Sequence, residues 1–153
     1  MKVDVIRLQV PARPEYLALV RMVVAGTARV DPLLDDERVD DLRVVVSEAC
    51  TNAIEAVLER DAAGDPDATI EVECRLSASQ VEVVVSDRGR GFDPDALASL
   101  PSVTDPSRLR VERGLGIPLI RALSDEAEIT SDERGTRVRV ALYAVSPPAG
   151  LAD

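Results

Sequence analysis

Two periodicities alternate along this 153-residue chain, one of two residues and one near 3.6. Period two comes first. Val3-Asp4-Val5-Ile6-Arg7-Leu8-Gln9-Val10 alternates loosely and predicts a strand, ended by Pro11 and Pro14. It returns in Thr69–Leu76, where Ile70, Val72, Cys74 and Leu76 share a face, and in Gln80–Ser86, where Val81, Val83 and Val85 do so. The short Ser77–Ser79 link makes these two a hairpin. A last hairpin joins Glu126–Ser131, through a turn ending at Gly135, to Thr136–Tyr143, with Val138, Val140 and Leu142 facing inward.

The helical period fills the intervals. Pro14-Glu15 opens a helix running to about Ala28, with proline in its first turn and an acid beside it. Its body, Tyr16 to Val24, is apolar on more than one side, whereas a helix packed only on its own sheet shows a single stripe. Two readings stand: a deeply buried helix, or a second apolar face for a subunit or partner. Asp31-Pro32 breaks the chain, and Asp35 or Asp36 caps a central helix over about residues 36–60. Val39, Leu42, Val46, Ala49, Ala53 and Val57 recur at three or four and form its core stripe; Glu48, Asn52 and Glu55 make a polar row beside it. Gly64-Asp65-Pro66 is a turn.

The second hairpin strand runs straight into Asp87-Arg88-Gly89-Arg90-Gly91-Phe92-Asp93-Pro94. A short helix over Pro94–Leu100 and a proline-, serine- and arginine-rich loop to Arg113 follow, a loop length that favours a functional role. Gly114-Leu115-Gly116 begins a helix through Ile117, Ile120 and Leu123. The whole describes one domain over 1–145 with a flexible tail over 146–153. Its architecture is an α/β two-layer sandwich, a mixed, mostly antiparallel sheet covered by helices.

Composition narrows the chemistry mainly through absences. With no histidine, Ser-His-Asp catalysis, histidine metal ligation and a phosphoacceptor histidine are excluded. The single lysine is Lys2, so neither a Walker-A lysine nor the strand lysine of eukaryotic-type kinases is available. A net charge of −10 argues against direct nucleic-acid binding. No apolar run is long enough for a membrane span and the start lacks a signal-peptide pattern. Cys50 and Cys74 read as reduced, buried thiols of a cytoplasmic protein.

Against that background the polar row stands out. Glu48 and Asn52, one turn apart, place a carboxylate and a carboxamide on one face, able to serve as a general base and as a neutral oxygen ligand for Mg²⁺. Taken alone, Glu48 is better explained as a solvated surface carboxylate, the usual fate of a glutamate. Asp87-x-Gly89-x-Gly91 after a strand lets backbone approach a ligand, yet Pro94 sits where the dinucleotide fingerprint wants a third glycine. Gly114-Leu115-Gly116 at a helix start is a natural phosphate seat, with Arg108, Arg110 and Arg113 nearby. Gly135-Thr136 is most simply a hairpin turn.

In combination and in this order, Glu-x-x-x-Asn-Ala, Asp-x-Gly-x-Gly-Phe, Gly-Leu-Gly-Ile and Gly-Thr resemble the N, G1 and G2 boxes of the GHKL ATPase superfamily, over about residues 3–143. Pro11-Ala12-Arg13-Pro14-Glu15-Tyr16 followed by Val46-Ser47-Glu48-Ala49-Cys50-Thr51-Asn52-Ala53 is similar to the anti-sigma-factor serine kinases of the RsbW type. The resemblance implies a Bergerat (histidine-kinase-like ATPase) fold binding ATP and Mg²⁺. Glu48 would be the catalytic glutamate and Asn52 the magnesium asparagine. Asp87 would accept the adenine amino group, with Gly89 and Gly91 shaping the pocket wall and Thr136 supporting Asp87. Residues 93–113 would form a lid, Arg113 a γ-phosphate contact, and Gly114, Leu115 and Gly116 the phosphate-binding amides. Arg21 falls where relatives use an arginine against protein partners.

The implied activity is sequestration of a sigma factor together with phosphorylation of a serine on a STAS-type anti-anti-sigma protein, by a homodimer. The alternative is an ATP-binding switch that transfers no phosphate. One departure from the pattern is Ala56, where relatives often carry histidine.

Overall fold

The computed structural model describes residues 2–30, 33–60, 67–87, 116–132 and 135–144. The period-two segments become strands that differ little from their expected bounds: β1 (Asp4–Pro11), β2 (Thr69–Leu76), β3 (Gln80–Ser86), β4 (Glu126–Asp132) and β5 (Gly135–Tyr143). They form one five-stranded sheet in the order β1-β2-β3-β5-β4, and all four pairings are antiparallel. The expected mostly antiparallel sheet is therefore antiparallel throughout its described strands. β5 enters between β3 and β4, so the last of the described strands lies beside the central one.

Register follows the alternation. Ile6, Cys74, Val83 and Val140 lie in one row across four strands, with Leu8, Val72, Val85 and Val138 in the next row but one. Because the side-chain period is two, these rows point to one face, and that face carries the core. The opposite face is a lattice of charge. Glu73 accepts from Arg7 Nε at 2.8 Å and from Arg75, while Arg139 reaches Glu82 at 2.9 Å and lies near Glu126 and Glu128. A cavity of about 350 Å³ opens there among Arg7, Glu73, Arg75 and Arg137. β3 is buried on both sides: Val84 and Glu82, on the charged face, are covered almost as fully as Val83.

Among the described residues, three α-helices cover the apolar face: α1 (Leu17–Ala28), α2 (Asp36–Arg60) and α3 (Gly116–Leu123). A 3₁₀ turn, Pro14–Tyr16, leads into α1. α2 starts where Asp35 Oδ1 accepts the Arg38 N–H at 2.8 Å, the geometry of an N-cap side chain on N3. Its core stripe is wider than the expected one, because Val45, Cys50, Ile54 and Ala56 are buried as well. The helix touches the sheet on one side, α1 on another and α3 on a third, so a wide arc of its surface needs apolar cover.

α1 is buried along one side and exposes apolar residues on another. Val20, Val24, Ala25 and Ala28 are buried, while Leu19 and Met22 are exposed at 39% and 66%. No helix among the described residues is long and apolar enough to cross a membrane. The turn at 64–66, the Pro94–Leu100 helix, the loop to Arg113 and the 146–153 tail lie outside the described residues.

Candidate active site

The site is built on the middle of α2. There Val45, Val46, Ala49, Cys50, Ala53 and Ile54 are buried, and that anchorage fixes the rotation of the helix. Glu48 and Asn52 then fall at the edge of the buried arc, half-buried, one turn apart. Ala56, one turn beyond Asn52, is buried at 7% exposure, so the wall on that side is apolar.

α3 lies along this row. Gly116, its first residue, is buried, and a Cβ placed on it would stand 2.8 Å from Glu48 Oε2, 3.2 Å from Asn52 Nδ2 and 3.3 Å from Glu48 Cβ. Only glycine lets the helix start come so close to both side chains. The first turn of a helix has N–H groups without intrahelical acceptors and carries the positive end of the macrodipole, which favours carboxylate and phosphate alike. Residues separated by more than sixty positions thus meet as a carboxylate, a carboxamide and a helix start.

Asn52 adds a second observation. Its Nδ2 is buried and has no hydrogen-bond partner among the described residues. Native structures rarely leave such a group unsatisfied, and an amide beside a helix start is well placed to meet a ligand. A carboxamide can turn its oxygen toward a cation, and Mg²⁺ takes few protein oxygens when phosphates and water complete its shell. The residues present therefore fit a magnesium–nucleotide group at this point.

A third piece stands at the end of the central strand. Asp87 follows β3; its N–H donates to the Thr136 carbonyl at 3.0 Å, and its carboxylate accepts the Thr136 N–H at 3.4 Å. Thr136 is buried at 5% exposure, but its hydroxyl pairs with Ser131 Oγ at 3.3 Å. The link from Thr136 to Asp87 thus runs through the Thr136 backbone. Gly135, just before it, has φ 145°, a left-handed conformation that glycine adopts without strain. This explains the glycine at the turn.

Arg21, on α1, is half-buried and donates from Nη1 to Ser47 Oγ at 3.3 Å. It is thereby tied to the residue next to Glu48, a link that the sequence reading did not contain. Gly89, Gly91, Arg113, Gly114 and Leu115 lie outside the described residues.

Comparison with known proteins shows the family. The family model for the histidine kinase-like ATPase domain matches residues 10–142. The serine-protein kinase RsbW of Bacillus velezensis is 34% identical over 145 residues, 92% of this chain and 86% of the relative. That of Bacillus subtilis is 32% identical over 143 residues, with the same 92% and 86% coverage. Among solved structures, the RsbU and RsbW domains of a Mycobacterium tuberculosis protein superpose with a TM-score of 0.65 at 20% identity, covering 94% of this chain and 33% of that one. That last likeness speaks to the fold alone. An ATPase-family domain with a carboxylate, a carboxamide and a glycine helix start in contact is an ATP-binding domain, and this chain belongs to the histidine kinase-like ATPase domain family as a serine-protein kinase of the RsbW type.

Proposed function

We propose that the protein is an anti-sigma factor that holds a sigma factor away from RNA polymerase and phosphorylates a serine on an anti-anti-sigma protein of the STAS type. Phosphorylation stops that antagonist from binding, so sigma stays held; the unphosphorylated antagonist competes and frees it. The observation that carries the reading is the contact of Gly116 with Glu48 and Asn52, within a chain whose relatives are serine-protein kinases.

In this mechanism Glu48 takes the proton of the substrate serine as its oxygen attacks the γ-phosphorus. The new bond is serine Oγ to phosphorus, the bond from phosphorus to the β,γ-bridging oxygen breaks, and ADP leaves. Asp87 accepts the adenine amino group, with Gly89 and Gly91 shaping the wall beside it. The start of α3, with Gly114, Leu115 and Arg113 before it, receives the polyphosphate. Asn52 would hold Mg²⁺, which supplies charge neutralisation on the phosphates when bound. Arg21 takes part in recognising protein partners, and its guanidinium is tied to Ser47, the neighbour of Glu48. The exposed Leu19 and Met22 on α1 suit an apolar contact with a second copy, making a homodimer.

The competing reading is an ATP-binding switch without transfer, and Ala56 in place of the family's frequent histidine speaks for it. Glu48, intact and seated against the helix start, favours catalysis. The test incubates the purified protein with labelled Mg-ATP and candidate STAS proteins, comparing wild type with Glu48→Gln. Label on a partner serine in the wild type only supports the kinase. ATP binding with no transfer to any candidate moves the conclusion to the switch.

A further inference from the structure

Arg38 lies in the first turns of α2, far along the helix from Glu48, and the site as described makes no use of it. Its contacts are nonetheless specific. Nη1 donates to Asp41 Oδ2 at 2.9 Å and to the carbonyl of Leu123, the last residue of α3, at 3.1 Å. Nη2 donates to Asp125 Oδ2 at 2.7 Å. Asp125 is itself fixed by the sheet: its N–H donates to the Ala141 carbonyl at 3.0 Å, and the same Oδ2 accepts the Tyr143 N–H at 2.8 Å. One guanidinium therefore joins the start of α2, the end of α3 and the entry to β4, with β5 behind it.

The two helices run antiparallel. The start of α3 meets Glu48 and Asn52, and its end meets Arg38. From Arg38 to Glu48 the α2 axis advances about 15 Å, and from Gly116 to Leu123 the α3 axis advances about 10 Å, at 1.5 Å per residue. An arginine reaching along the interface covers the difference. Between these ends α3 buries Ile117 and Ile120. Apolar contacts of that kind oppose separation but tolerate sliding along the axis. Gly116 has no side chain to grip with. The bond to the Leu123 carbonyl, by contrast, is directional, and it lies where a cation complements the helix dipole.

We propose that Arg38, braced by Asp125, is a positioning residue of the nucleotide site: it sets α3 along α2 so that the helix start at Gly116 stays seated against Glu48 and Asn52. The proposal rests on reading that contact as the phosphate end of the ATP site. An ordinary surface ion pair contributes little and acts on stability alone. This one acts on the part of the site that receives phosphate and leaves the Asp87 end untouched.

The experiment uses the full chain as wild type, Arg38→Met, Arg38→Lys and Asp125→Asn, well below each variant's unfolding midpoint. It measures Mg-ATP and adenosine binding by calorimetry and amide exchange at Ile120 to Leu123. With α3 seated in only about a tenth of molecules, Mg-ATP affinity in Arg38→Met falls about tenfold, because apparent affinity scales with the competent fraction. Adenosine affinity stays unchanged, exchange in α3 rises, and Arg38→Lys recovers part of both effects. Equal weakening of both ligands, or unchanged α3 exchange, overturns the proposal. If the wild type binds no Mg-ATP, the reading of the site fails, while the exchange measurement still decides whether Arg38 seats α3. Should Arg38→Met not fold, Asp125→Asn is held to the same outcomes.

Discussion

Gly116 abuts Glu48 so closely that a single added methyl carbon would stand 2.8 Å from the Glu48 carboxylate. The contact is the hinge between two roles of one sequence. It lets a helix start approach the carboxylate, and any side chain at that position would have to displace it.

Gly116→Ala separates stability from activity. The nearest atom to the new Cβ is the far end of a flexible side chain, so the clash is relieved by swinging the Glu48 carboxylate aside. Stability should fall by less than the about 1–3 kcal/mol that overpacking a rigid core costs. Phosphoryl transfer should fall about a hundredfold, the scale of a misplacement near 1 Å at a reacting group. Denaturant midpoints beside a transfer assay read both, and full activity in this variant would show that Glu48 does not need its present position.

Asn52→Leu should trade function for stability. The buried, unpartnered Nδ2 costs the unliganded protein an unmade hydrogen bond, so an apolar residue of similar shape should raise its stability by about 1 kcal/mol. ATP affinity measured with Mg²⁺ should drop toward the value measured in chelator, and the gap between the two conditions should close. A gap as wide as in the wild type would remove Asn52 from the metal.

Acid sensitivity should pass in part through Glu73. Hydrogen bonds from Arg7 and then Arg75 hold its carboxyl below the ordinary value of 4.5. A depressed folded-state value contributes stability that is present above the unfolded value and lost as pH falls through the folded one. Wild type should therefore lose more stability than Glu73→Gln as the pH is lowered below about 4.5, read as urea midpoints across that range. Parallel acid limbs would mean that the pair is screened out.

The two thiols should be silent in the native state. Burial, with the nearby Cys74 as a second cause, pushes Cys50 up to about 12; burial, then the charge of Glu73, pushes Cys74 up to about 11. Thiol reagents at neutral pH should label neither until the protein unfolds. The sign of the linkage is the reverse of that for Glu73. A raised value contributes stability that is complete below the unfolded value of 9.0 and lost as pH climbs toward 11 and 12. Cys74→Val should flatten that alkaline limb.

Much of the fold can be read locally. Ile70, Val72, Cys74 and Leu76 declare a strand with one buried face because alternation is a property of neighbours along the chain. The start of α2 can be read from Asp35 for the same reason. α2's buried arc was underestimated at Val45, Cys50, Ile54 and Ala56, since its width depends on how many elements pack around the helix. Arg38 carried no signal at all. An arginine with an aspartate three residues on reads as a surface pair, and its partner at Asp125 lies 87 residues away.

By itself the sequence determined the strands, the helices and the residue types available for chemistry: no histidine, no useful lysine, and Glu48, Asn52 and Asp87 in an order that resembles one family. These are matters of local period and of composition, and they need no third dimension. Only the tertiary structure decided that β5 lies between β3 and β4, that the Thr136 backbone meets Asp87, and that Gly116 closes on Glu48 and Asn52. Those contacts depend on how whole elements pack, where a shift of one residue in register or one turn along a helix would separate the same side chains.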